Sequence, residues 1–289
     1  MSSQPKIFVS SGAFGKRDFD EAMDNAREWG VPRVELTGGM SKRDTMMDDV
    51  RAQDDLELMV HNYFPPPPKA FVLNLASEDE ETLEMSREHC RRSVDLSRDL
   101  GAPYYSVHAG FAARVKPEHL GVKIPAEART NKVRADEIFR ESVRDLVAYA
   151  SERDVEILIE NNVVEPGNLV EGRNEMLLLA EAGEIVSFMD DMKLDGLGIL
   201  VDLGHANVSS NSLSYDRMDF CRRVAPYTKA LHLSDNDGRR DSNRAFDRDT
   251  WLVDAMAQFE PEYVVIEAYR ISRDEKDACV DAIETAFGR

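Results

Sequence analysis

The sequence predicts an α/β protein folded as a single (β/α)8 TIM barrel that spans residues 1–289. Short apolar segments recur eight times along the chain, segments of helical length separate them, and polar residues collect where the apolar segments end. These segments are apolar nearly throughout, which is typical of parallel strands buried on both faces. Eight such strands fit a closed barrel with helices on its outside.

The predicted strands lie in order within residues 6–14, 31–39, 56–64, 102–110, 155–163, 197–208, 227–238 and 263–270. Between the fourth and fifth, residues 135–153 keep apolar side chains at helical spacing, which predicts an amphipathic helix that covers the sheet. An open doubly wound sheet is the alternative architecture. It is disfavoured because SSGAFG, after the first strand, lacks the glycine spacing of a dinucleotide-binding turn.

Composition narrows the functional classes. The formal net charge of −19 and the lack of a basic run argue against nucleic acid as a partner. No apolar stretch approaches the roughly 18 residues of a membrane helix, and the polar start lacks the apolar centre of a signal peptide. We therefore expect a cytoplasmic protein that does not bind membranes. The three cysteines form no close pair, which disfavours a disulfide framework or a zinc ribbon.

Polar residues stand at the carboxyl ends of seven predicted strands. These are Glu35, His61, His108, Glu160, Asp202 with His205, His232 and Glu267. In a closed barrel such side chains converge at the mouth, where barrel active sites are built. Carboxylates buried together need a counter-charge, which a divalent cation supplies. Oxygen-rich ligation with one imidazole suits one ion of Mn, Mg, Co or Zn.

The order of these residues on consecutive strands resembles the xylose-isomerase-like barrels, a family of sugar isomerases, ketose 3-epimerases and inosose dehydratases. Endonuclease IV-type DNA-repair enzymes are relatives of that family. The resemblance covers all eight strands and implies a metal held by Glu160 in LIENN, Asp202 in VDLGH, His232 in LHLSDNDG and Glu267 in VVIEAY. It also implies that His205 contacts substrate oxygen. Glu35 resembles the glutamate that such barrels commonly hold on strand two and is expected to be structural, with support of a metal ligand or substrate binding as the alternatives.

The resemblance implies a metal-dependent isomerase or epimerase acting on a small carbohydrate or sugar phosphate. Proton removal beside a carbonyl leaves an enediolate, whose charge a metal stabilises. Glu160 and Glu267 are the candidate catalytic acid–base groups. Dehydration of a cyclic polyol begins with the same proton abstraction and is an alternative. Phosphodiester hydrolysis and a non-catalytic sugar-binding barrel also stay open.

The loop after the seventh strand departs from the family pattern. Endonuclease-type relatives carry an Asp-x-His and a glycine turn there, whereas this chain has Asp241, Ser242 and Asn243 without the turn. His61 and His108 match positions that bind further metal in that branch, but in a sugar enzyme they would contact substrate. Arg239 and Arg240 are further candidates for binding substrate oxygen, and Arg270 is another; an arginine that points inward here would indicate a phosphate or carboxylate substituent.

A homo-oligomer is also expected, because barrels of this kind often associate. The residues around Phe64 or Trp251 are the candidates for the interface.

Overall fold

The computed structural model describes residues 4–117 and 123–288 and contains a closed barrel of eight parallel strands, paired in chain order and closed by β1 on β8. The strands are β1 (Lys6–Ser10), β2 (Arg33–Leu36), β3 (Glu57–His61), β4 (Tyr104–His108), β5 (Glu156–Glu160), β6 (Leu197–Asp202), β7 (Thr228–Leu233) and β8 (Tyr263–Ile266). The predicted (β/α)8 TIM barrel is therefore confirmed.

Helices connect successive strands on the outside of the barrel. They are α1 (Phe19–Glu28), α2 (Met46–Arg51), α3 (Glu80–Asp99), α4 (Lys132–Ser151), α5 (Ala182–Met192), α6 (Leu203–Leu213), α7 (Arg217–Val224), α8 (Trp251–Met256) and α9 (Arg273–Phe287). The helix expected over residues 135–153 is α4, which begins three residues earlier because the Asn131 side chain caps it by accepting a hydrogen bond from Arg134 N–H.

Two apolar layers hold the barrel together. The larger lies between the sheet and its helices, and the smaller fills the barrel interior with Phe8, Met59, Tyr104, Leu158, Leu200, Ala230 and Val265. Along each strand the side chains alternate between these layers. Further along the strands, towards their carboxyl ends, the inward-facing positions hold the polar residues predicted for the site. The apolar interior layer therefore lies directly beneath the polar site.

The structure bears on the expectations about membrane helices, cysteines and the oligomer interface. Within the described ranges no helix is long and apolar enough to cross a membrane. All three cysteines are buried free thiols. Phe64 itself is fully buried in the core, so its side chain is not part of the surface, and an interface formed by the residues around it stays a prediction. Oligomerisation and a cytoplasmic location stay predictions.

Candidate metal centre

The side chains of Glu35, Glu160, Asp202, His205, His232 and Glu267 are buried together at the carboxyl ends of the strands. Asp202, the last residue of β6, caps α6: its Oδ1 accepts a hydrogen bond from the backbone N–H of His205 at 2.7 Å. The Asn161 side chain exchanges two hydrogen bonds with the Asp202 backbone and fixes its position. The short spacing in VDLGH therefore turns both functional side chains into the barrel mouth.

Glu160 is the centre of the cluster. Its Oε2 lies 3.3 Å from His61 Nε2 and 3.3 Å from His108 Nδ1. Its Oε1 lies 3.6 Å from one ring nitrogen each of His205 and His232. The carboxylate thus separates two pairs of imidazoles and faces both.

Both ring nitrogens of His232 contact carboxylates. Nδ1 lies 2.8 Å from Glu267 Oε2, on the side of Glu160 and Asp202, and Nε2 lies 3.1 Å from Glu35 Oε2. A metal-binding histidine commonly donates its second N–H to a carboxylate, which fixes the tautomer and orients the ring. Glu35 is placed for that role, which was one alternative to the structural role expected of it.

Two groups in the described residues have the composition and closeness of metal sites, with one ligand atom per residue within 4.8 Å of the others. One consists of Glu160, Asp202, His232 and Glu267, and the other of His61, His108 and Glu160. A third, overlapping group joins Glu35 to His61 and His232. The first is the predicted ligand set, and the second shares Glu160 with it.

Buried oxygens without partners support a cation in this position. Both oxygens of Glu160, Oδ2 of Asp202 and Oε1 of Glu35 are buried and accept no hydrogen bond. Unpaired buried carboxylate oxygens are costly, and a divalent ion satisfies them. The residues present therefore fit a divalent metal.

The charges of the cluster are strongly coupled. Burial raises the pKa of Asp202 well above its usual value, although His205 opposes it. Burial also disfavours ionised Glu160, but His108 and His61 outweigh it and lower the pKa of Glu160. Burial disfavours a charged His232 ring, yet Glu35 and Glu267 raise its pKa well above the ordinary value. The protonated ring of His232 thus balances carboxylate charge in the metal-free protein, whereas burial lowers the pKa of His108 to about 4 and leaves that ring neutral at pH 7.

The cluster opens into a cleft of about 430 Å³ whose lining includes His61, His108 and Glu267. Tyr269 forms part of its wall and donates a hydrogen bond from its hydroxyl to Glu267 Oε1 at 2.7 Å. Gly12 makes this arrangement possible, because a Cβ there would lie 2.6 Å from the Tyr269 ring. Sequence reasoning did not single out Tyr269, which stands two residues after Glu267.

The loop after β7 was expected to bring Arg239 and Arg240 to the substrate, but it brings a different residue to the site. Arg239 and Arg240 are exposed, and the structure does not bring them into the cluster. Asp241 belongs to it instead, with Oδ2 3.3 Å from His205 Nε2. The comparison with the Asp-x-His pattern of endonuclease-type relatives singled out Asp241, but it did not predict the contact of Asp241 with His205. The third position of that pattern is Asn243.

The structure thus defines a (β/α)8 barrel with a histidine- and carboxylate-rich centre at the carboxyl ends of its strands. Residues 23–266 match the model of the xylose isomerase-like TIM barrel family. The chain belongs to that family.

Named proteins of two kinds are similar to this chain. The probable endonuclease 4 of Thermoplasma acidophilum is 26% identical over 244 residues, which are 82% of this chain and 71% of that protein. A D-tagatose 3-epimerase-like protein superposes with a TM-score of 0.73 at 17% identity, over 97% of this chain and 98% of that one. The D-psicose 3-epimerase of Clostridium cellulolyticum H10, solved with D-tagatose, gives a TM-score of 0.66 at 15% identity, over 97% and 96%. The structural likenesses establish the fold.

Proposed function

We propose that the protein is a divalent-metal-dependent isomerase or epimerase of a sugar or sugar phosphate. The observation that carries the proposal is the buried group of Glu160, Asp202, His232 and Glu267, whose last member lines a cleft of small-molecule size. The similarity to a D-tagatose 3-epimerase-like protein and to D-psicose 3-epimerase supports a carbohydrate substrate. The ion held by the four residues would act as a Lewis acid towards substrate oxygen.

Glu267 is the group best placed to transfer a proton. It lines the cleft, its Oε2 contacts His232, and its Oε1 accepts a hydrogen bond from Tyr269. His61 and His108 line the same cleft and are placed to contact substrate hydroxyls. A base here would abstract the proton on the carbon beside the carbonyl and return it to the neighbouring carbon, whereas delivery of a proton to the opposite face of the same carbon would need a second base.

Glu160 can act as a second base only if one of its carboxylate oxygens is free to reach the substrate. Both of its oxygens face histidines, so proton transfer requires Oε2 to be free of His61 and His108 when substrate is bound. If Glu160 serves only as a ligand, the chemistry is a one-base isomerisation. If Oε2 becomes free, bases on two sides of the sugar permit epimerisation.

Phosphodiester hydrolysis is the second candidate, because His61, His108 and Glu160 form a ligand group that shares Glu160 with the first. Two neighbouring ions clamp the attacking and leaving oxygens in many phosphoesterases. The similarity to a probable endonuclease 4 also favours it. The net charge of −19 and Asn243 in the third position of the Asp-x-His pattern oppose it.

The test combines metal content with turnover. We expect about one ion per chain, lost in Asp202→Asn, and conversion of a ketose that falls by about 10²–10⁴-fold in Glu267→Gln. His108→Ala is the discriminating variant, and it should keep the ion and change substrate affinity. Two ions per chain, one of them lost in His108→Ala, together with cleavage of abasic-site DNA that a chelator abolishes, would overturn the proposal in favour of hydrolysis.

A further inference from the structure

Basic side chains line the outer part of the cleft that leads to the metal centre. Lys16, Arg17 and Arg270 border the cavity whose lining also includes His61 and Glu267. This is a local concentration of positive charge on a chain whose formal net charge is −19. Because a neutral sugar hydroxyl does not require such a field, the basic side chains indicate an anionic group on the ligand.

The backbone holds these residues in place. Gly15 adopts a φ of 65° at the end of the turn after β1, directly before Lys16 and Arg17. Arg270 has a φ of 55°, and its N–H donates to Gly12 O at 3.1 Å, which ties the loop after β8 to the loop after β1. The Arg17 carbonyl accepts a hydrogen bond from Ser41 N–H at 2.7 Å. Three neighbouring loops thus fix the two arginine backbones.

The guanidinium groups of Arg17 and Arg270 have no hydrogen-bond or ion-pair partner within residues 4–117 and 123–288. The nearby Arg43 differs, because it pairs with Asp20 and Asp49. Lys16 contacts Glu21 at 3.2 Å, but both groups are well exposed and such a pair is weak. The two arginines are therefore available to a ligand.

We propose that Arg17 and Arg270, assisted by Lys16, bind the phosphate group of a sugar phosphomonoester whose other end reaches Glu267. The assignment rests on the proposed function and narrows its substrate to phosphorylated sugars. Arg270 follows Glu267 by three residues, so their Cα atoms lie at most about 11 Å apart. A linear pentose or hexose phosphate covers a distance of that order. Planar guanidinium groups pair well with phosphate oxygens.

Binding to metal-free protein isolates the basic groups from the metal centre. Calorimetric titration would compare ribulose 5-phosphate, ribulose and inorganic phosphate at constant ionic strength, using wild type, Arg17→Gln, Arg270→Gln and the double variant. Arg144→Gln is the matched control, since Arg144 is an exposed arginine on α4. We expect the phosphorylated sugar to bind at least about tenfold more tightly than ribulose, and each cleft variant to lose roughly tenfold. The control should bind as wild type does.

Equal affinity for the two sugars, or an unchanged preference in the double variant, would overturn the inference. So would tighter binding of an abasic-site duplex that depends on Arg17 and Arg270, because the arginines would then serve a phosphodiester backbone. Failure of the proposed function is separate from these results. If no ketose is converted but the phosphate preference depends on both arginines, only the catalytic proposal fails. If ribulose and its phosphate are converted and bound equally well, only this inference fails.

Discussion

Glu160 shows how one residue organises the charges of the site. It is fully buried, yet neither of its oxygens accepts a hydrogen bond, and four imidazoles surround it at 3.3 to 3.6 Å. His61 and His108 lower its pKa despite its burial. The carboxylate is thus kept ionised by its neighbours. In the metal-free protein the raised pKa of His232 supplies a protonated ring beside it, and a bound divalent ion would supply positive charge instead.

Tyr269 tunes the neighbouring carboxylate of Glu267. Burial disfavours ionised Glu267, but His232 outweighs it and lowers the pKa of the carboxyl well below its usual value; the Tyr269 hydroxyl, which donates a hydrogen bond to Glu267 Oε1, adds to this preference for the ionised form. Removing the donor in Tyr269→Phe should raise the pKa of Glu267. We expect the acidic limb of the kcat/KM profile to move to higher pH by roughly one unit, since a hydrogen bond to a charged group contributes about 1.5–3 kcal/mol.

A matched control for this variant is Tyr227→Phe. The Tyr227 hydroxyl also donates to a carboxylate, Asp190 Oδ1 at 2.8 Å, but on the surface between α5 and β7. It should leave the pH profile of kcat/KM unchanged. An acidic limb that stays in place in Tyr269→Phe would mean that Glu267 does not set it.

At the scale of elements, α3 is fastened to the loop after β3 by a buried histidine. The ring nitrogen Nε2 of His89 donates to Asn62 O at 3.0 Å, and the Ser93 hydroxyl donates to Phe64 O at 2.8 Å. Burial lowers the pKa of His89 to about 4 from an ordinary value of 6.5. The side chain is therefore neutral in the folded protein at pH 7.

Acid should weaken this attachment. Between pH 6.5 and about 4 the unfolded chain binds a proton at His89 that the folded chain does not, so stability falls as pH falls through this window. His89→Gln retains a donor and cannot titrate. From pH 7.5 to pH 5 it should lose up to about 2 kcal/mol less free energy of unfolding than wild type does, measured by urea denaturation. Equal losses in the two proteins would contradict the account.

The strands and the residues at their ends could be predicted from sequence, because each apolar run stops where the barrel opens. The observed β5 ends on Glu160 and β6 on Asp202, as the letters LIENN and VDLGH indicate. Asp241 could not be placed this way. Its position depends on a loop folded back by paired hydrogen bonds between Asp235 and Arg244, which no local pattern specifies. Arg17 likewise borders the same cleft as Arg270 because β1 pairs with β8.

At the scale of the whole molecule, acidic residues outnumber basic ones by 55 to 36. Many basic side chains pair with carboxylates at the surface, as Arg27 does with Asp55 at 2.7 Å. Exposed pairs of this kind add little stability. The excess negative charge repels itself in the compact state more than in the unfolded chain, which destabilises the fold at low ionic strength.

Salt should therefore stabilise the protein at neutral pH. The Debye length shrinks from about 10 Å at 0.1 M salt to about 3 Å at 1 M, which screens the repulsion between surface carboxylates. We expect Tm, followed by circular dichroism, to rise between 0.1 M and 1 M KCl at pH 7. Near pH 4.8, the isoelectric point of the sequence, the net charge vanishes and the rise should largely disappear. A rise of the same size at both pH values would assign the effect to salting-out of apolar surface, since that mechanism does not depend on net charge.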